Sequence, residues 1–563
     1  MRFHATTRRK FCSAVAVGAL AGRSDAILAA DKEQKVDLVI IGGGLGGCAA
    51  ALAALRNGLT VIMTEATDWI GGQLTSQGVP PDEHQWIETT GANASYRELR
   101  SKIRQHYRQH YQLTDAARRN KLFNPGNGNV SRLCGEPKVS LAVLEGMLAP
   151  FAATGQLTIL REFEATRAEV DGDEVQAITV RNNSTSDTAT LRAPYFIDAT
   201  ELGDLLPLTG TEFVTGSEAQ SETGELHASE KADPDNQQAF TMCFAVDYLA
   251  GQNHTIDRPD EYAFWRNFMP QLNPPWPGRL LDFTYTHPRS GKPRRLAFDP
   301  AGGRSVNGIL NLWTYRRMID TRLFKPGQFD GDVSLINWPQ NDYFLGNLID
   351  VTDAMAETHV ARAKQLSLSL LYWLQTEAPR EDGGTGFPGL RLRPDLMGTA
   401  DGLAKAPYVR ESRRVRAQFT VLEEHVGREQ RAIVTGESKA NVKAASFADS
   451  VGVGSYPIDL HPTTAGDNYI DFESLRFQIP LGALMPIRMR NLIPACKNIG
   501  TTHITSGCYR LHPVEWGIGE AAGCLAAFAS QKNESLHGIR ARQPLLAEFQ
   551  QWIRKQGVET HWA

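Results

Sequence analysis

The chain has 563 residues, of which 42% are hydrophobic and 22% charged; this is the composition of a globular protein too long for one compact core. A formal net charge of -4 gives no reason to expect nucleic acid, so no such partner is predicted. No run beyond the N-terminus reaches roughly eighteen apolar residues, so no membrane span is predicted.

The N-terminus has the layout of an export signal. Arg8 and Arg9 precede a mild apolar run over residues 12–21, and small residues follow around Ala29. This order is typical of a twin-arginine signal peptide, and the run is too short to span a bilayer comfortably. We therefore expect residues 1–30 to be a signal peptide and the protein to be periplasmic or otherwise exported. A basic, irregular tail is the alternative.

A glycine-rich turn follows an apolar strand predicted over residues 36–41 and precedes an alanine-rich helix. Gly42, Gly44 and Gly47 fit the pattern G-x-G-x-x-G. In this pattern the first glycine makes the turn, the second admits a diphosphate and the third packs the helix on the strand. The free N–H groups at the helix start would bind the phosphates. This segment predicts the first half of a dinucleotide-binding unit.

A second strand, predicted over residues 60–64, leads directly to Glu65. A carboxylate at the end of this strand is suited to hold ribose hydroxyl groups. Glycines and short hydroxyl side chains then fill residues 71–78, which is typical of a loop close to a ligand. The whole arrangement predicts a βαβ unit that binds a dinucleotide. A glycine-rich turn with a solvated Glu65 is the alternative.

The next elements are predicted from apolar periodicity and turn residues. Helices are expected over 97–112 and 138–152, strands of a β-meander over 157–160, 165–170, 176–180 and 188–191, and another strand over 195–200. A turn is expected at residues 171–173. The strand that ends at residue 200 runs into Asp204, which we expect near the dinucleotide.

The composition of the chain changes in its middle, and the strand–helix pattern of the first part returns near its end. From about residue 215 to 466, tryptophan, proline and arginine are frequent and βαβ alternation is absent, although leucine spacing predicts a helix over 360–377. The last part predicts a strand over 492–496, a polar loop over 501–512 and a helix over 513–528. A helix start in this position can stabilise negative charge on a reduced flavin.

These segments together resemble the FAD-dependent oxidoreductase family that has a single N-terminal Rossmann motif and is related to glutathione-reductase-type flavoproteins. The segments that carry the resemblance are 41–50, Glu65 with 71–74, 196–204, 312–317, 337–343, 410–414, 454–461 and 493–527. The resemblance implies FAD as the cofactor. The chain departs from the usual Ala-Thr-Gly segment at Glu201, which replaces the glycine. The sequence has no second glycine motif between a strand and a helix, so the substrate itself is the expected reductant.

The predicted fold class is α/β, with a Rossmann-like FAD-binding domain that includes a β-meander and an inserted α+β substrate domain. The predicted boundaries are 1–30 for the signal peptide, 31–215 with 475–535 for the discontinuous FAD-binding domain, 216–474 for the substrate domain and 536–563 for a C-terminal tail. The residues predicted to contact FAD are Gly42, Gly44, Leu45, Gly46, Gly47, Glu65, Gly72, Gln73, Leu74, Asp204, Arg510, Pro513 and Val514.

Hydride transfer to a flavin requires a base for the proton of the O–H or N–H group that is oxidised. His503 and His461 are the candidates, since histidine titrates near neutral pH and both lie in segments expected near the flavin. A histidine that only hydrogen-bonds a loop is the alternative for each. Arg410 could hold a carboxylate or phosphate of the substrate in two places, or it could belong to an internal ion-pair network.

The sequence thus predicts an exported FAD-dependent oxidoreductase that acts on a small organic substrate directly at the flavin. A lyase or isomerase that uses flavin transiently or structurally is one alternative, and a flavin-bearing electron-transfer or binding protein is another. No protein-bound metal is predicted, because no H-E-x-x-H or comparable ligand pattern occurs. The electron acceptor and the oligomeric state are not identified by the sequence, and Cys496 and Cys508 are close enough in sequence to pair.

Overall fold

The computed structural model describes residues 32–562. The predicted signal peptide, with Arg8 and Arg9, lies outside these residues. Within the described range, none of the helices has both the length and the apolar character needed to cross a membrane.

A five-stranded parallel sheet carries the predicted dinucleotide-binding unit. Its strands in spatial order are Leu492–Pro494, Tyr195–Asp198, Leu38–Ile41, Val61–Glu65 and Leu157–Arg161. The three central strands are buried along nearly their whole length, as expected for a sheet covered on both faces. The carboxyl ends of the strands therefore meet at one edge of the sheet, where ligands bind in open α/β folds.

Two helices pack against each other on this sheet at very short range. They are Leu45–Arg56, which follows the glycine turn, and His512–Lys532 near the end of the chain. A Cβ atom on Gly519 would lie 2.0 Å from the carbonyl oxygen of Gly46, and one on Gly523 would lie 2.2 Å from that of Ala50. Glycine is required at both positions because the two backbones touch. This contact fixes the start of the second helix beside the glycine turn.

A second sheet contains the predicted meander. Its strands in spatial order are Lys32–Lys35, Thr188–Arg192, Glu174–Asn182 and Phe163–Asp171. The assignment of residues 157–160 to this meander is wrong, because the strand Leu157–Arg161 pairs in parallel with Val61–Glu65. The helix Pro137–Ala153 precedes that strand. A strand that follows such a crossover helix returns parallel to the strands of the sheet it left.

The middle of the chain forms a separate apolar core around a four-stranded antiparallel sheet. Its strands in spatial order are Arg317–Ile319, Val333–Ile336, Phe244–Tyr248 and Leu390–Leu392. The helix Asp353–Thr376 contributes Leu366, Leu370 and Leu374 to this core, together with many aromatic side chains. The mixed α and β content agrees with the predicted fold class, whereas the domain boundaries at residues 215 and 475 stay predictions.

The remaining strands form short pairs. They are Phe240–Thr241 with Asp342–Tyr343, Thr284–Thr286 with Pro293–Arg295, Ser305–Val306 with Ile309–Leu310, Phe213–Val214 with Arg414–Val415, Ser450–Gly454 with Phe477–Pro480 and Ile458–Leu460 with Ile470–Phe472. The remaining α-helices are Ala94–His110, Asp115–Arg119, Leu205–Leu208, Gln220–Thr223, Tyr262–Asn267, Leu312–Tyr315, Pro394–Met397, Glu423–Val426, Arg428–Thr435, His503–Tyr509, Leu536–Ala541 and Gln543–Lys555.

The four long predicted helices are confirmed, although the helix predicted over 360–377 begins seven residues earlier, at Asp353, and the one predicted over 513–528 continues to Lys532. The polar loop predicted over residues 501–512 is wrong, because it contains the helix His503–Tyr509. Thr502 caps this helix by accepting a hydrogen bond from the backbone N–H of Thr505. Glycine, serine and threonine are weak helix formers, so the helix exists through burial of all its residues rather than through propensity.

Candidate functional site

The glycine turn is packed tightly against the ends of the neighbouring strands. Gly42 has a φ of 98°, and a Cβ atom on it would lie 2.3 Å from the carbonyl oxygen of Ala199. A Cβ atom on Gly46 would lie 1.8 Å from the carbonyl oxygen of Ala495, and one on Gly47 would lie 2.1 Å from that of Gly42. These three glycines are therefore required by the fold itself.

Gly44 differs, because no backbone atom lies within 3.4 Å of the position of its absent Cβ; the nearest is the carbonyl oxygen of Ala199 at 3.5 Å. Gly44 is also the N-cap of the helix Leu45–Arg56 and has no side chain to cap it, although the N–H of Gly46 in the first turn donates to Glu515. Free N–H groups at a helix start attract anions through both hydrogen bonding and the helix dipole. The turn thus provides a cradle that suits a diphosphate.

Glu65 is the last residue of its strand and is buried beside the turn. Its Oε1 atom accepts hydrogen bonds from the backbone N–H of Thr67 at 3.0 Å and from the Thr67 hydroxyl at 2.8 Å. Burial raises the pKa of Glu65 to about 7. Donors from a ribose would stabilise the ionised carboxylate in this position, so Glu65 fits its predicted role.

Glu515 joins three of the predicted cofactor segments. Its Oε1 atom accepts a hydrogen bond from the backbone N–H of Gly46 at 3.1 Å. Gln73 donates from its Nε2 atom both to the other oxygen of Glu515 and, at 2.9 Å, to the carbonyl oxygen of Arg510. Glu515 was not among the predicted cofactor contacts. Its position in the first turn of the helix His512–Lys532 was the signal for it in the sequence.

Glu201, where the chain departs from the family pattern, also lies against the turn. Its Oε1 atom is buried without a hydrogen-bond partner among residues 32–562, and it lies 3.1 Å from the position of a Cβ atom on Gly44. Lys497 forms an ion pair with Glu201, and its Nζ atom lies 4.0 Å from Glu515. The carboxylate of Glu201 and a bound diphosphate are both anions, so Glu201 opposes the charge that the turn attracts.

The side chains of Glu201, Cys496 and Glu515 come close enough to share a metal ion. The ammonium group of Lys497 already lies among them, at 3.5 Å from the sulfur of Cys496. A fixed positive charge in this position disfavours a cation. Cys496 and Cys508 are both buried free thiols, so they do not form a disulfide.

The other predicted contacts lie as follows. Leu74 belongs to the short 3-10 helix Gly72–Leu74, and Pro513 and Val514 are buried in the first turn of the helix that begins at His512. The carboxylate of Asp204 lies 3.1 Å from Arg413. The structure therefore pairs Asp204 with an arginine, whereas it brings the glycine turn, the 72–74 segment and the late helix together.

A cavity of about 250 Å³ adjoins these segments. Arg510 and Leu511 line it, and they directly precede the helix His512–Lys532. Burial lowers the pKa of His512 to about 4, so this histidine is neutral; its Nδ1 atom accepts a hydrogen bond from the backbone N–H of Asp82 at 3.2 Å. The cavity therefore opens beside the part of the chain predicted to face the flavin.

His461 lies in this cavity between two aspartates. Its Nδ1 atom lies 2.6 Å from Oδ2 of Asp342, and its Nε2 atom lies 3.4 Å from Oδ2 of Asp459. Burial raises the pKa of the Asp342 carboxyl, but Arg410 and His461 outweigh it and hold that pKa well below the usual range. Asp459 is likewise ionised, with a pKa of about 2 despite its burial, because His461 and Arg510 stabilise the carboxylate.

Arg410 lies in the same cavity and is held by the same aspartate. Its Nη2 atom lies 3.0 Å from Oδ1 of Asp342, and its Nη1 atom donates to the carbonyl oxygen of Ala239 at 2.8 Å. The guanidinium group stacks over the ring of Tyr408 at 4.9 Å. Two of the three predicted catalytic residues, His461 and Arg410, are thus joined through one buried carboxylate.

His503 lies in a different environment. Its Nδ1 atom lies 2.8 Å from Glu411, and its backbone N–H donates to Glu218 at 2.9 Å. Arg414 also pairs with Glu411, at 2.8 Å. Burial lowers the pKa of His503, but the charge of Glu411 outweighs it, so the net shift is upward. His503 therefore belongs to a buried ion-pair network, and its catalytic role stays a prediction.

A parallel sheet with a glycine turn, an acid at the end of the second strand and a late helix on that turn define a Rossmann-type dinucleotide-binding protein. The family profile described as FAD dependent oxidoreductase matches residues 37–552. The chain belongs to this family, so the protein is an oxidoreductase and its cofactor is FAD.

The chain is also similar, at low identity, to several solved structures. A geranylgeranyl bacteriochlorophyll reductase-like protein from Thermoplasma acidophilum is 10% identical, with 94% of this chain and 86% of that chain covered and a TM-score of 0.33. The E. coli quinol fumarate reductase FrdA is 11% identical, with 89% and 71% covered and a TM-score of 0.31.

The L-proline dehydrogenase from P. horikoshii is 17% identical over 35% of this chain, with a TM-score of 0.18, and the match spans only 27% of its length. None of the curated proteins matches this sequence significantly.

Proposed function

We propose that this protein oxidises a small organic substrate directly at FAD, in the cavity beside His461. The observation that carries the proposal is the position of His461. It lies 2.6 Å from the buried carboxylate of Asp342, in a cavity that Arg510 connects to the first turn of the helix His512–Lys532. A candidate base and a candidate anion-binding group thus adjoin the helix that is predicted to face the flavin.

Bound FAD supplies an acceptor for the two electrons and the hydrogen that leave a substrate carbon as hydride. The protein must then receive the proton of the hydroxyl or amine group on that carbon. His461 is suited to this step because the ionised Asp342 accepts a hydrogen bond from Nδ1. That hydrogen bond orients the ring so that Nε2, 3.4 Å from Oδ2 of Asp459, is the atom that takes the proton, and the two carboxylates stabilise the imidazolium that forms.

Two tyrosines and one aspartate of the cavity are less suited to act as the base. Burial raises the pKa of Tyr408 and holds that of Tyr456 well above the usual range, so both hydroxyls stay protonated at neutral pH. Asp459 has a pKa of about 2 and is a weak base. Arg410 stays charged and can hold and orient an acceptor group of the substrate.

Anaerobic mixing of the FAD-loaded protein with candidate substrates tests the proposal. An oxidoreductase of this kind loses the absorbance of oxidised flavin as product forms. Turnover without net bleaching would instead support a lyase or isomerase that uses flavin transiently or structurally. An absence of both responses throughout a broad panel would support a flavin-bearing electron-transfer or binding protein. If the flavin is bleached, the same preparation serves to identify the electron acceptor that reoxidises it.

The proposal includes export by the twin-arginine route. Arg8 and Arg9 stand before an apolar run and a segment of small residues, which is the order of such a signal. This route carries folded proteins, so FAD would be inserted in the cytoplasm before export.

A further inference from the structure

We propose that the cavity beside His461 recognises a small hydroxylated carboxylic acid, whose carboxylate is bound by buried arginines; this narrows the substrate class of the proposed function and rests on it. Arg316, Arg410 and Arg510 all line the cavity, and each is less than one tenth exposed. In each of them the Nε atom is buried and has no hydrogen-bond partner among residues 32–562. A buried donor without a partner costs free energy that a ligand with acceptor atoms removes.

Asn337 adds a fourth free donor next to one of these arginines. Its Oδ1 atom accepts a hydrogen bond from Nη2 of Arg410 at 3.3 Å, which fixes the orientation of the amide. The Nδ2 atom is buried and has no partner among the described residues. Arg410 and Asn337 therefore present neighbouring donors, the arrangement that a carboxylate satisfies with its two oxygens.

Two of the three arginines, Arg410 and Arg510, lie against Tyr408. The guanidinium group of Arg410 lies 4.9 Å from the centre of its ring, and Nη1 of Arg510 lies 3.5 Å from its hydroxyl oxygen. Asp342 pairs with Arg410 and Asp459 pairs with Arg510, so the donors left for the oxygens of a ligand carboxylate are the unpartnered Nε atoms of the two arginines.

The aspartates of the cavity already have cationic partners. Asp82 lies 3.2 Å from Arg316, and Asp459 lies 3.4 Å from Arg510. The third, Asp471, lies 3.0 Å from Arg289. Each carboxylate thus has a cationic partner, although Oδ1 of Asp82 is buried without a hydrogen bond, and the four donors have no partner among the described residues. A ligand that brings acceptors, rather than a cationic amine, is complementary to this cavity.

The size and the remaining lining indicate a small, hydroxylated acid. A volume of about 250 Å³ is at or below the lower end of pockets that hold drug-sized ligands, roughly 300 Å³. Tyr315 and Tyr456 also line the cavity. Burial raises the pKa of Tyr315 to about 12 and holds the pKa of Tyr456 well above its usual range, so both phenols keep their protons and can exchange hydrogen bonds with hydroxyl groups.

Calorimetric titration of the FAD-loaded protein tests the inference, because it measures the binding affinity of a ligand without requiring any turnover. The probes are glycolate, lactate and gluconate, each compared with its uncharged amide. We expect at least one acid to bind at least about tenfold more tightly than its amide, which corresponds to about 1.4 kcal/mol. If no acid binds more tightly than its amide, the inference is overturned.

Two variants connect the binding to the free donors. Asn337→Asp keeps the shape of the side chain but replaces the free donor by a negative charge, and it should weaken acid binding at least about tenfold. Asn183→Asp adds the same charge at an exposed position and should leave binding unchanged. Equal acid binding by the wild type and Asn337→Asp would contradict the inference. If Asn337→Asp does not fold, the comparison of acids with amides in the wild type still decides.

Failure of this inference can be separated from failure of the proposed function. If uncharged hydroxy compounds bleach the flavin as fast as the acids do, the oxidoreductase function stands and the preference for a carboxylate is refuted. If the acids bind but no compound bleaches the flavin, acid recognition stands and direct oxidation at the flavin is refuted.

Discussion

The Nδ1 atom of His461 lies 2.6 Å from a carboxylate oxygen of Asp342, which is fully buried and also forms an ion pair with Arg410. One carboxylate therefore orients both the candidate base and the candidate anion-binding group. The three residues come from separate parts of the chain, and the cavity beside them adjoins the helix that begins at His512.

The first prediction separates the two candidate histidines. His461→Ala should slow reduction of the flavin by ~10²–10⁴-fold, the usual contribution of a positioned acid–base group, while FAD content stays the same. His503→Ala should reduce the flavin at a normal rate but unfold more easily, because Glu411 loses a buried partner. Anaerobic stopped-flow absorbance and thermal unfolding measure the two effects. If His503→Ala reduces the flavin slowly while His461→Ala reduces it at the normal rate, the two histidines exchange their assigned roles. If both variants reduce the flavin at the normal rate, neither histidine is the base.

The second prediction distinguishes Gly44, which is assigned to cofactor binding, from the glycines that the fold requires. Gly44→Val should fold but lose FAD, because the nearest atom to its Cβ is the carboxylate of Glu201 at 3.1 Å and no backbone lies closer than 3.5 Å. Gly47→Ala should lose the fold, because its Cβ would lie 2.1 Å from the carbonyl oxygen of Gly42. Circular dichroism and the ratio of FAD to protein measure these outcomes. A Gly44→Val protein with full FAD content would refute the assigned cradle.

The third prediction concerns the carboxylate that opposes the diphosphate. Glu201→Gln removes a negative charge beside the glycine turn and the nearer of the two carboxylates next to Lys497, so the charge of Lys497 attracts phosphate more strongly. FAD should bind about tenfold more tightly, which corresponds to about 1.4 kcal/mol. Fluorescence titration of the apoprotein with FAD measures the affinity. The control is Glu212→Gln, which breaks an ion pair with Arg488 on the surface and should not change it. Weaker binding by Glu201→Gln alone would show that Glu201 supports the cofactor.

The fourth prediction concerns export. Replacing Arg8 and Arg9 by lysine should leave the precursor in the cytoplasm, because the arginine pair is an address read by a receptor. Cell fractionation with an antibody against the protein measures the distribution. A replacement of Lys10 by arginine is the matched control and should be exported. Normal periplasmic yield of the double variant would show that the segment is another kind of signal or a simple tail.

Local sequence signals predicted the dinucleotide-binding unit well. The apolar strand, the spacing of Gly42, Gly44 and Gly47 and the acid at residue 65 lie within thirty residues of one another, so one window contains the whole motif. The long helices were also predicted, because apolar periodicity is a local property.

Contacts between distant segments could not be predicted in the same way. Asp342 and His461 are 119 residues apart, and Glu411 and His503 are 92 residues apart. No pattern in the sequence pairs either histidine with its carboxylate. The sequence therefore offered His461 and His503 as equivalent candidates for the base, although their surroundings in the fold differ. The helix His503–Tyr509 was missed for a related reason, because tertiary burial overrides its weak helix propensity.

The central claim is that the substrate itself reduces the flavin in the cavity beside His461. The most direct test is single-turnover anaerobic mixing with a substrate that bleaches the flavin and with the same compound deuterated at the carbon that is oxidised. We expect bleaching and product formation to proceed at one common rate, which is severalfold slower for the deuterated compound. In His461→Ala, both should slow by the same factor. Product formation without bleaching, or bleaching that His461→Ala leaves unchanged, would contradict this account.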